Sequence, residues 1–141
     1  MSNILALSEA ATIGLHSMVL IAKSTEKLNV NQIADCIGSS KHHVAKIMQR
    51  LSKDNFVASN RGPLGGFVLK RKPEEISLLD IYESIEGKIA EHSCPGNKED
   101  CPFGDCILGC VSVKLTDDFL GFLKTQTLDK YIKIGTDKET D

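Results

Sequence analysis

Residues 31–69, NQIADCIGSSKHHVAKIMQRLSKDNFVASNRGPLGGFVL, decide the fold. Ile33, Ala34 and Ile37 share one face of a short helix over about 31–37, with Asn31 as its expected cap and Gly38 as a left-handed stop. A second helix starts near Ser40, because Val44, Ile47, Met48 and Leu51 recur at i, i+3, i+4 and i+7. Its opposite face carries Lys41, His42, His43, Lys46, Gln49, Arg50 and Lys53. Helix, glycine-containing turn, then a helix with a basic outer face is the helix-turn-helix pattern. Phe56–Ser59 and Phe67–Leu69 read as paired strands around the turn Asn60-Arg61-Gly62-Pro63-Leu64-Gly65-Gly66. A hairpin directly after a helix-turn-helix is a wing, and an Arg at its tip suits the negative potential of a minor groove.

The flanks extend this head. Residues 8–23 read as a helix capped by Ser8, and residues 78–86 as another, opened by a Ser77/Asp80 capping box and closed by Gly87. A loop over roughly 90–105 has few large apolar residues, so something other than its own core must organise it. A long helix over about 107–125 follows. Leu108, Val111, Leu115, Phe119 and Phe122 form a seam along it that asks for a second copy. Leu128, Tyr131 and Ile132 suggest a last turn folding back, and 135–141 reads as a tail. The expected organisation is a winged-helix domain over 1–87, a cysteine-rich loop over 88–106, a dimerisation region over 107–134 and the tail. The fold class is mostly α with a β-hairpin wing.

Charge is unevenly distributed. The chain of 141 residues carries a formal net charge of −2, yet residues 39–72 hold eight basic residues against the single acid Asp54. A block of one sign points to a polyanionic partner where the average does not. Lys41, Lys46, Arg50, Lys53, Lys70, Arg71 and Lys72 are candidate phosphate contacts. No apolar run approaches the ~20 residues of a membrane span. The opening residues MSNILALSEA lack the pattern of a secretory signal, so a reducing cytoplasm is expected. No nucleotide-binding glycine motif or nucleophile–base arrangement points to an enzyme.

Four of the five cysteines, Cys94, Cys101, Cys106 and Cys110, form a C-x6-C-x4-C-x3-C cluster. Thiolates suit iron–sulfur clusters, zinc or copper(I). Cys106 and Cys110, if both helical, would share one face. The spacing fits neither a zinc ribbon nor a ferredoxin run, so it implies a metal or redox site without choosing the metal. Disulfides on oxidation, or Cys110 as a small apolar seam residue, are the plainer readings. Cys36 reads as a buried thiol outside the cluster, and His92 as either a ligand or an exposed side chain.

Taken together, the chain resembles the IscR/NsrR-type regulators of the Rrf family, winged helix-turn-helix iron–sulfur transcription factors. The resemblance spans about residues 7–134. It is carried by Leu28-Asn29-Val30, Gln32-Ile33-Ala34, Gly38-Ser39-Ser40, Ile47–Leu51, the R-G-P-x-G-G-F wing, Ile81–Glu86, the cysteine loop and Phe122–Leu128. It implies a homodimer on a two-fold symmetric double-stranded operator. Ser40, His42 and His43 match the start of the recognition helix, and Arg61 with Gly62, Pro63, Gly65 and Gly66 matches the minor-groove wing. Cys94, Cys101 and Cys106 match the three cluster cysteines.

This sequence departs from the family pattern in four places. Cys101 is displaced by one residue. Gly109 stands where the IscR branch has a ligating His. Thr12, with Glu9 one turn away, stands where the NsrR branch takes a carboxylate from the partner's first helix. Ala45 replaces a Glu that restricts which DNA sites the IscR branch binds. Cys110 is left as the fourth ligand, of a [4Fe–4S] or a [2Fe–2S] cluster, and a structural zinc is the alternative.

Overall fold

A computed structural model describes residues 1–90, 94–96 and 101–133 of the chain. The elements run α1 (Glu9–Lys23), α2 (Val30–Ile37), α3 (Lys41–Lys53), β1 (Val57–Asn60), β2 (Gly66–Leu69), α4 (Leu78–Glu86), α5 (Gly109–Thr125) and α6 (Asp129–Ile132). The fold is a winged helix-turn-helix head with a long helix after it, as the sequence predicts.

Helices α1 to α4 each begin where a side chain supplies the missing acceptor. Ser8 Oγ accepts from the Ala11 amide at 3.0 Å, and Ser40 Oγ from the His43 amide at 3.2 Å. The cap of α2 is Asn29, not the expected Asn31. Asn29 and Gln32 exchange two 2.9 Å bonds in a capping box, which starts the helix earlier and leaves Asn31 inside it. Gly38 stops α2 at φ 69°, donating to the Ala34 carbonyl. Ser77 and Asp80 cap α4 reciprocally, as expected.

One core unites the elements. Ile13, Met18, Ile33, Val44, Met48, Leu51, Val57, Ile76 and Ile81 are all buried. α1 passes against α4 so closely that a Cβ on Gly14 would lie 1.9 Å from Ile85 Cδ1. The hairpin pairs Val57 with Leu69 and Asn60 with Gly66, so each strand sits one residue from its expected start. Leu28 adds a bridge on the far side of β2, its carbonyl accepting from the Phe67 amide at 2.8 Å.

The C-terminal region closes on the head through a pairing that no local pattern announces. The Leu78 amide donates to the Gln126 carbonyl at 2.8 Å, and the Leu128 amide to the Ile76 carbonyl at 3.0 Å. Leu123 and Leu128 are buried there. The long helix starts at Gly109 rather than 107, because Gly109 takes a left-handed φ of 49° that breaks continuity with the turn before it. The expected tail over 135–141 lies outside the described residues.

Candidate nucleic-acid interface and thiol segment

The buried stripe of α3 fixes what its other side presents. With Val44, Ile47, Met48 and Leu51 packed inward, Lys41, His42, Lys46, Gln49 and Lys53 are exposed together. Ser40 spends its hydroxyl on the helix cap. His43 is half-buried and turned toward α1, its Nδ1 3.5 Å from Glu9 Oε1.

Arg50, Lys70 and Arg71 are partly committed to the fold. Arg50 Nε donates to the Ser84 carbonyl at 2.8 Å, and Nε lies 3.6 Å from Asp54 Oδ2. Arg71 donates to the Asp54 carbonyl at 2.9 Å and stacks 4.4 Å over the Phe56 ring. Lys70 Nζ donates to Asn55 Oδ1 at 2.9 Å. The hydrogen bonds of Arg50, Lys70 and Arg71 were not legible in the sequence, because their partners lie 15 or more positions away.

The wing is shaped by glycine. Gly62 has φ 114°, and the Gly65 amide donates back to the Gly62 carbonyl at 2.9 Å. A Cβ on Gly65 would lie 2.2 Å from the Asn60 carbonyl oxygen, and one on Gly66 2.8 Å from the Leu28 backbone. Only glycine fits either position, and the result is a narrow tip with Arg61, Gly62, Pro63 and Leu64 exposed.

All five cysteines are exposed. That corrects the reading of Cys36 as buried: the inward stripe of α2 is Ile33 and Ala34 flanked by Val30 and Ile37, and Cys36 falls to its side. Cys106 precedes α5 and Cys110 lies in its first turn, so the two do not share a helix face. Among the described residues, no group of three or more His, Cys, Asp or Glu converges to hold a metal. The donor types suit a soft metal or cluster. His92 lies outside the described residues.

Along α5 the seam residues Leu108, Val111, Leu115 and Phe122 are exposed, and Phe119 packs edge-on against Tyr82 with ring centroids 6.4 Å apart. Burial, with the charge of Glu86 second, pushes the Tyr82 phenol up from its ordinary value. Among the described residues no helix is long and apolar enough to cross a membrane.

Comparison with known proteins agrees with this architecture. The model of the Rrf2 family, described as an iron-dependent transcriptional regulator, matches residues 7–133. Protein aau3 of Rhizobium meliloti (strain 1021) is 30% identical over 90% of this chain and 84% of its own length. The HTH-type transcriptional regulator IscR of Pectobacterium atrosepticum is 31% identical over 71% of this chain and 61% of its own length, so this chain spans about six-tenths of that relative. The structure of T. potens IscR superposes with a TM-score of 0.76 at 23% identity, covering 98% of this chain and 93% of that one. CymR, the global cysteine regulator of B. subtilis, superposes with a TM-score of 0.70 at 24% identity, covering 92% and 97%. At these identities the structural likeness speaks for the fold alone.

Proposed function

The chain belongs to the Rrf2 family and is a winged-helix transcriptional regulator, not an enzyme; from that premise we propose that it is a cytoplasmic homodimer whose operator binding is governed by a cysteine-ligated iron–sulfur cluster. The recognition surface is the outer side of α3, with Ser40, Lys41, His42, His43, Lys46 and Arg50. The minor-groove element is the wing, with Arg61, Gly62, Pro63, Gly65 and Gly66. Cys94, Cys101, Cys106 and Cys110 would hold the cluster, which supplies sensitivity to redox state, nitric oxide or iron–sulfur supply. Residues 1–87 form the DNA-binding unit, 88–106 the sensing loop and 107–134 the dimer contact.

One observation carries this reading. The four-thiol segment joins α4, packed under the recognition helix, to α5, whose apolar stripe stands exposed in the single chain. A ligand that gathers those thiols therefore acts on the connection between the DNA-reading head and the dimer seam. Paired stripes would set two heads on the two halves of a symmetric site.

Anaerobic purification with iron, sulfide and zinc analysis and a visible spectrum tests the cluster. Iron and sulfide with visible absorption are expected. One zinc per chain and no colour would reassign the cysteines to a structural clip. Duplex titration at several salt concentrations tests the interface, and affinity should fall steeply as salt rises.

A further inference from the structure

The last turn of α4 holds two neighbouring elements, α3 and α1, by three consecutive residues. Ser84 is buried, and its hydroxyl donates to Asp54 Oδ2, the residue that ends α3. Its carbonyl accepts from Arg50 Nε at 2.8 Å. Ile85 fills the notch over Gly14 of α1. Glu86 accepts from Ser8, the cap of α1. Gly87 then turns the chain, at φ 85°, toward the cysteine-bearing segment.

Asp54 joins this turn to the wing as well. Its backbone carbonyl accepts from Arg71, two residues beyond β2, whose guanidinium lies over Phe56 at the root of β1. Next to it Asn55 takes a positive φ of 64° to start the wing, with its side-chain oxygen held by Lys70. So one residue touches the recognition helix, the root of the wing and α4. Of the residues in these contacts, only Arg50 is also among those assigned to the recognition surface or the wing tip.

We propose that Asp54 and Ser84 are positioning residues for sequence reading: they fix the C-terminal end of the recognition helix and the root of the wing on α4 as one body. This rests on the reading of α3 and the wing as the DNA surface. Base readout in two grooves at once needs the two elements held at a set angle, whereas phosphate attraction tolerates play between them. Loss of the Ser84–Asp54 bond should therefore reduce discrimination between sequences and leave general DNA affinity in place. Because this turn runs directly into the thiol segment, it is also where a change in that segment meets the reading head.

The test uses the full chain and two probes. One is the duplex recovered by selection on the wild-type chain from a randomised pool of about 30 base pairs, room for two half-sites. The other is a scrambled duplex of equal length. Ser84→Ala and Asp54→Ala should each lower the ratio of the two affinities about tenfold. In Ser84→Ala, which alters no charge, affinity for the scrambled duplex and the salt slope should stay within about twofold of wild type; Asp54→Ala and Asp54→Asn both remove the one acid of the basic block and are compared with each other at equal charge. Asp54→Asn keeps an acceptor for Ser84 and should restore most of the ratio. Equal weakening on both probes, or an unchanged ratio in both alanine variants, overturns the proposal. Lys41→Ala and Arg61→Ala are the controls on the surface. If neither weakens any duplex, the DNA surface itself is misread; if they do while the ratio survives in Ser84→Ala and Asp54→Ala, only the positioning role is lost. Asp54 is partly exposed, so its variants report even where Ser84→Ala melts early.

Discussion

Gly66 sits between two backbones, with the Leu28 main chain 2.8 Å from where its Cβ would be. Neither side can yield as a flexible side chain can. Gly66→Ala should cost about 1–3 kcal/mol, with the strain falling on the Leu28–Phe67 bridge that anchors β2. A melting temperature several degrees lower, together with weaker duplex binding, is the expected result. An unchanged melt would show that the bridge gives way freely. Two exposed cations should separate by mechanism. Lys46→Ala should weaken binding evenly across sequences and lower the salt slope by about 1. Arg61→Ala should fall hardest on duplexes with a narrow A·T minor groove, and anisotropy titrations on A·T-rich and G·C-rich duplexes distinguish the two. At this scale the sequence was readable where a residue type has one use, as with Gly38, Ser77 and the wing glycines. It was misleading for Cys36, because a short helix leaves little margin between its inward stripe and its flank. It also misled for Asn29, because two asparagines two residues apart offer equivalent caps.

The helices of the head, α1 to α4, could be read from their period because each buries one face. The extended return at 126–128 could not, since two backbone bonds to 76–78 leave no periodic trace. The exposed stripe on α5 is the element with most at stake. Leu108, Val111, Leu115 and Phe122 are each half or more exposed, an arrangement that favours burial against a second copy. Val111→Glu with Leu115→Glu should therefore convert the proposed dimer to a folded monomer, read by sedimentation with far-UV circular dichroism as the check on folding. A wild-type monomer at micromolar concentration would remove the seam from the proposed function. The contact between α4 and α5 adds an alkaline dependence. Tyr82 is held neutral by burial and by Glu86, so its folded pKa lies above its unfolded value near 10.0. Its stabilisation is complete below that value and is lost as pH climbs through the folded pKa. Tyr82→Phe should flatten the alkaline end of the stability profile.

Across the whole molecule, charge and thiols divide the labour. Residues 39–72 carry the basic excess, while residues 73–141 hold fifteen acids against seven bases. The acidic half should disfavour wrapping by DNA and leave the head as the surface that meets phosphate. Four of the five cysteines sit in that acidic half, and all five are exposed. A cluster held by thiols spread over the segment between α4 and α5 would tie ligand binding to the conformation of that segment. This gives a measurement at the level of single thiols. In metal-free protein Cys94, Cys101, Cys106 and Cys110 should all alkylate readily, as should Cys36, which is exposed on α2. Iron-loaded anaerobic protein should protect the four and leave Cys36 reactive, so Cys36 serves as the internal standard in a mass-spectrometric time course. Cys110 alkylating as fast as Cys36 in the loaded protein would exclude it as a ligand. The fourth position would then have to come from elsewhere. Iron removal from the same sample should change affinity for the selected duplex about tenfold or more, within the usual 1–3 kcal/mol of coupling between sites. Protection of the thiols without any change in duplex affinity would leave a bound cluster with no influence on the head, contrary to the proposed function.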